Sequence, residues 1–90
     1  MSIKVMISAY LQRFTNHTEV VEVNGSTVGE CLKHLGEQFP LVEERLFDRQ
    51  GKLLIHFNIY VNEKSVYPHN PDKPVRDGDE IRIVTTIGGG

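Results

Sequence analysis

Helical periodicity is strong in one stretch of this chain, and strand-like alternation flanks that stretch on both sides. Val28, Leu32, Leu35 and Phe39 recur at helical spacing and define a single apolar stripe. Thr27 and Glu30 form a T-x-x-E capping box at its start, an arrangement that satisfies amides the first helical turn leaves unpaired. Pro40 stops the helix, because it disfavours helical backbone at the residue before it. Gly29 and Gly36 sit two turns apart on one flank and lower helix propensity, so close packing is expected there. Leu41 to Phe47 reads as a second, short helix.

Ahead of the helix, Ile3, Val5 and Ile7 alternate with Lys4, Met6 and Ser8, the period of a half-buried strand. Glu19 to Val23 repeats that pattern, with Val21 and Val23 facing inward, and the two runs read as a hairpin looping around Arg13 to Thr18. After the helix, Ile55, Phe57, Ile59 and Val61 alternate with His56, Asn58, Tyr60 and Asn62. Pro68, Pro71 and Pro74 then mark an irregular stretch. Asp77-Gly78-Asp79 turns the chain into a last strand with Ile81 and Ile83 inward. The order β-β-α-β-β gives an α+β fold, one main helix laid across a mixed sheet. If the first and last strands pair centrally, it is a β-grasp (ubiquitin-like) roll.

Ninety residues suffice for one domain with a modest core. A net charge of −2 and no basic run leave no electrostatic footprint for nucleic acid. No apolar stretch is long enough to span a membrane, and the first residues lack a signal-peptide core. A single cysteine excludes an internal disulfide framework and a ferredoxin cluster, which needs four thiolates, and fits a reducing cytoplasm. The expected organisation is a domain over residues 1–86, monomeric when free, with a flexible glycine tail at 87–90.

That tail is Ile87-Gly88-Gly89-Gly90. Glycines at a terminus make no turn; they leave a thin, ionised α-carboxylate on a tether without side chains. Glycine lets a channel close tightly around the main chain. Extended chain gains about 3.3–3.6 Å per residue, so Thr85 to Gly90 reaches roughly 20 Å. Ordering three glycines costs on the order of 3–6 kcal/mol, which the body of the domain must offset by contacts with a partner. Two readings fit: the terminus is the reactive group, or it is a frayed end.

Three pieces of the second half occur together: Phe57-Asn58-Ile59-Tyr60-Val61-Asn62, Pro74-Val75-Arg76-Asp77-Gly78-Asp79-Glu80-Ile81, and the terminal glycines. Their order and spacing resemble the MoaD/ThiS group of ubiquitin-like sulfur carriers, which includes the small subunit of molybdopterin synthase. Leu46-Phe47-Asp48-Arg49-Gln50-Gly51-Lys52 is further similar to carriers that feed cysteine synthesis. Pro71-Asp72-Lys73-Pro74 and Thr85-Thr86-Ile87 depart from the group's usual segments and bear on the pathway more than on the chemistry.

The resemblance implies that Gly90 is the reactive residue, with Gly89 completing the motif and Gly88 acting as spacer. A partner related to ubiquitin-activating enzymes would adenylate the terminus with ATP and Mg²⁺. A sulfur donor, a persulfide protein or sulfide, would then displace AMP to leave a thiocarboxylate. A biosynthetic enzyme would take the sulfur into cysteine, molybdopterin, thiamin or a related product. The chain itself would be a co-substrate without catalytic residues, metal or cofactor.

Other residues admit competing readings. Cys31 lies beside the apolar stripe and reads as a buried structural residue rather than a sulfur-handling thiol. His17, His34, His56 and His69 fall in separate elements without metal-ligand spacing. Asp77, Asp79 and Glu80 fit a turn and strand start better than a cation site. Met6, Tyr60 and Val84, among Lys4, His56 and Arg82, have the parity of the face away from the helix. With Ile87 they are candidates for partner docking; ordinary cross-strand packing is the other reading. A ubiquitin-like modifier joined to lysines through Gly90, or a plain interaction module, would share the fold.

Overall fold

The computed structural model describes residues 2–52, 57–66 and 70–85. Strand β1 (Ser2–Met6) pairs antiparallel with β2 (Val20–Asn24), with Ile3 opposite Val23 and Val5 opposite Val21, as the alternation predicts. The connection is more structured than the expected loop. A one-turn helix, α1 (Ala9–Gln12), follows β1 and buries Leu11 completely. Asn16 and His17 then take left-handed backbone angles to reverse the chain (φ 54° and 63°). Thr15, fully buried, donates its hydroxyl to the Thr18 carbonyl at 2.9 Å and closes the turn.

Helix α2 (Val28–Gln38) is built as its stripe requires: Val28, Leu32 and Leu35 are buried against the sheet. Its N-terminus is satisfied from three directions. Thr27 Oγ1 accepts the Glu30 amide at 3.2 Å. The Val28 and Gly29 amides donate to the carbonyls of Lys73 (2.9 Å) and Pro71 (2.8 Å). The Glu30 carboxylate reaches one residue further back than a capping box predicts. It accepts both the amide and the hydroxyl of Ser26, each at 2.8 Å. Those bonds, the backbone one first, hold its carboxyl below the ordinary range.

Both helix glycines sit at close approaches of the chain. A Cβ at Gly29 would lie 2.9 Å from Pro71 Cβ and 3.0 Å from its carbonyl oxygen; one at Gly36 would lie 2.8 Å from Glu43 Cβ. Glu43 belongs to α3 (Pro40–Leu46), which starts directly after α2, with Phe39 capping both helices and Pro40 in its first turn. Replacing Gly29 by alanine sets a helix-propensity gain of up to about 1 kcal/mol against an overpacking cost of about 1–3 kcal/mol. The obstructing atoms include backbone, so the cost should win. Chemical denaturation is expected to show Gly29→Ala less stable than wild type; equal or greater stability would mean that the 71–73 segment gives way freely.

The sheet order is β2-β1-β5-β3-β4. Strand β5 (Glu80–Thr85) lies in the middle, parallel to β1 and antiparallel to β3 (Phe57–Val61). First and last strands therefore pair centrally, which makes the fold a β-grasp roll. Val5, Ile59, Ile81 and Ile83 of the sheet, Val28, Leu32 and Leu35 of α2, and Leu11, Val42 and Leu46 belong to one continuous core.

Residues Asn62 and Glu63, both with positive φ (50° and 71°), form a tight two-residue turn into β4 (Lys64–Ser65), which the sequence reading did not include. Asn62 also clasps the start of β5: its amide donates to Asp79 Oδ1 and its oxygen accepts the Glu80 amide, both at 3.0 Å. Asp79 Oδ2 takes the Arg76 amide at 2.8 Å. These contacts, Asn62 first, hold the Asp79 carboxyl below its ordinary range. Gly78 (φ 89°) donates its amide to the Ser2 carbonyl, and Asp77 Oδ1 receives the Ser2 amide at 2.6 Å.

Ile55 and His56, expected in the third strand, lie outside the described residues, as do Pro68 and the 86/87 domain limit.

Candidate functional site

Burial alternates along β1, β5 and β3, so every second side chain turns away from the helices. Register decides which of them meet. Met6 is level with Arg82 across the parallel pair, and Arg82 faces Tyr60 across the antiparallel pair. Val20 of β2 stands opposite Met6, which extends the row to four strands. Val84 occupies the next row on β5, opposite Asn58, while Lys4 lies one row back beside Glu80 and opposite Glu22.

The docking candidates Met6, Tyr60, Arg82 and Val84 are thus brought onto one open face over three central strands. Met6, Tyr60 and Val84 are half-buried; Arg82 and Lys4 are exposed. Val20, 41% exposed, joins the apolar part of this face. Sequence reasoning missed it, although its parity opposite to Val21 and Val23 carried the signal. Ile87, His56, Gly88, Gly89 and Gly90 lie outside the described residues. The described chain ends at Thr85 on the central strand, with its backbone opposite Phe57.

The polar residues that carry the resemblance turn out to be scaffold. Asn62, Asp77 and Asp79 spend their polar atoms on the Ser2, Arg76 and Glu80 amides and on one another. Among the described residues no group of three or more His, Cys, Asp or Glu is placed to hold a metal ion. A groove of about 590 Å³ on the helical layer is lined by Lys33, Glu37, Glu43, Glu44, Phe47 and Asp48 among others. It contains none of the open-face candidates.

Cys31 is fully buried, and burial first, then the neighbouring Glu30 charge, pushes its thiol up to about 11. At neutral pH it is a protonated core group, as its place beside the stripe predicted. Alkylation at pH 8 should proceed only at the rate of unfolding and become fast in denaturant. Rapid labelling of the native protein would contradict this placement.

The family model that matches this fold is the ThiS family, over residues 5–90. The chain belongs to the ThiS family. Sulfur carrier protein CysO of Mycobacterium tuberculosis is 31% identical to it, with all of both chains covered. CysO is also part of the Amycolatopsis orientalis BexX/CysO complex, one of the solved structures similar to this ThiS member (29% identity, TM-score 0.86, 98% of this chain and 99% of that one). SAMP1 of Haloferax volcanii, a small archaeal modifier protein, covers both chains fully at 26% identity and TM-score 0.88. The β-grasp fold and the likeness to cysteine-group carriers are therefore both as the sequence implied. Among the described residues, no helix is long and apolar enough to cross a membrane.

Proposed function

We propose that this ThiS-family chain carries sulfur as a thiocarboxylate on Gly90. The observation that carries this reading is the placement of β5. It runs through the middle of the sheet with Arg82 and Val84 on the open face, so Thr85, the last described residue, ends the strand that a partner would grip. The family match extends through Gly90.

An α-carboxyl titrates near 3.3–3.7, so at neutral pH the terminus is a carboxylate and resists nucleophiles. Activation makes it an electrophile: the carboxylate attacks the α-phosphorus of ATP, pyrophosphate leaves, and an acyl-adenylate forms. Hydrosulfide then adds to that carbonyl, AMP departs, and a thiocarboxylate remains. A persulfide donor would give an acyl disulfide, which a thiol reduces to the same product. The adenylating partner supplies the ATP and Mg²⁺ site; this chain supplies the acyl group and the face that Met6, Tyr60, Arg82 and Val84 present. Likeness to CysO favours an acceptor enzyme of cysteine synthesis over the molybdopterin and thiamin alternatives.

The adenylation step is tested by pyrophosphate exchange into ATP with a purified activating enzyme. Exchange should depend on this chain and saturate with it. Absence of exchange with every such enzyme from the same cell would remove the carrier reading and leave an interaction module. Likeness to SAMP1 supports a second reading, attachment of Gly90 to lysines of other proteins. Lysine-linked adducts recovered from cells would favour it.

A further inference from the structure

Among the described residues the sheet has two outer strands, β2 and β4, and they differ in exposure to strand addition. β4 has two residues; β2 has five. An unpaired strand of that length offers a row of amides and carbonyls to another chain unless something covers it. Backbone direction in β2 follows from its pairing. Ile7 donates to the Glu19 carbonyl, so Glu19, Val21 and Val23 turn their polar groups toward β1, and Val20, Glu22 and Asn24 turn theirs outward.

Two of those outward groups are occupied from α2. His34 Nδ1 accepts the Asn24 amide at 2.8 Å, and Gln38 Nε2 donates to the Glu22 carbonyl at 3.2 Å. His34 and Gln38 are one helical turn apart, on the flank that overlooks the edge. We propose that these two side chains close β2, and that the surface they close fits the same edge of a second copy of this chain.

The second copy is argued from register. Antiparallel pairing of β2 with itself about a two-fold axis through Glu22 sets Val20 opposite Asn24 at both ends, an isologous contact that satisfies itself. The central bonds of that pairing use the Glu22 carbonyl, and the outer bonds use the Asn24 amide. Gln38 holds the first and His34 the second. Glu22 adds a further barrier, since its carboxylate would face its own copy, and like charges directly opposite destabilise a pair.

Sedimentation velocity across a concentration series tests this in the full chain. Wild type should sediment as one monomeric species throughout. Glu22→Val/His34→Ala/Gln38→Ala should shift to dimer as concentration rises. Adding Val20→Pro, at the first residue of the strand, removes an outward amide used twice in the pairing and should restore the monomer. If the triple variant fails to fold, as judged by circular dichroism, Glu22→Val/Gln38→Ala retains the His34 contact and should show a weaker shift of the same kind. A folded variant that sediments as wild type would overturn the proposal, and so would association that survives Val20→Pro.

Discussion

Removing Gly90 is expected to abolish sulfur loading and to leave thermal unfolding unchanged. The shortened chain still ends in a glycine carboxylate, so its intrinsic reactivity is preserved and only reach is lost. One extended residue spans about 3.3–3.6 Å. Misplacing a reacting group by 1 Å can already cost about 10²-fold in rate, so loading should fall by at least about that factor. Among the described residues the buried core is built from Ile3 to Ile83, which is why stability should not follow. Comparing initial rates of sulfur incorporation for the two lengths, with melting curves alongside, decides it. Loading at the wild-type rate would mean that the partner reads the terminus without measuring its position.

The second large effect is expected at Val84. Its side chain is half-buried on the open face, one row from Arg82 and opposite Asn58. An aspartate there would place a carboxylate where a partner must exclude water. Loss of a central apolar contact costs about 2 kcal/mol or more, roughly a 30-fold loss of kcat/KM in the exchange reaction. Stability should change by no more than about 1 kcal/mol, the spread of strand propensities, because the core-facing residues Ile81 and Ile83 are untouched. Normal exchange by Val84→Asp would show that Met6, Tyr60 and Val84 are merely packed against one another.

Much of this molecule could be read from its residues, and the parts that could not have identifiable causes. Paired alternation at Ile3/Val5 and Val21/Val23 was sufficient for the hairpin, and Thr27 with the Val28–Leu32–Leu35 stripe for α2. Gly29 and Gly36 marked real close approaches, but the sequence could not name Pro71 and Glu43 as the neighbours; only the tertiary path does that. Helix α1 is four residues long, too short for periodicity to register. Strand β4 was hidden because its turn uses Asn62 and Glu63 at positive φ without a glycine. The capping carbonyls of Pro71 and Lys73 come from a stretch that proline content marked as irregular and nothing more.

On the site, parity alone put Met6, Tyr60, Arg82 and Val84 on one face. Register was needed to make Met6, Arg82 and Tyr60 neighbours and to add Val20. The resemblance rested on Asn62, Asp77 and Asp79, whose side chains hold the start of the last strand in place. The residues quoted for the resemblance therefore build the scaffold.

The most direct test is the intact mass of the chain after incubation with a candidate activating enzyme, ATP, Mg²⁺ and sulfide, followed by mapping of the C-terminal peptide. The carrier account predicts a gain equal to replacing one oxygen by sulfur, confined to the peptide ending in Gly90. An unchanged mass, with adenylation of the same sample demonstrated, would contradict it.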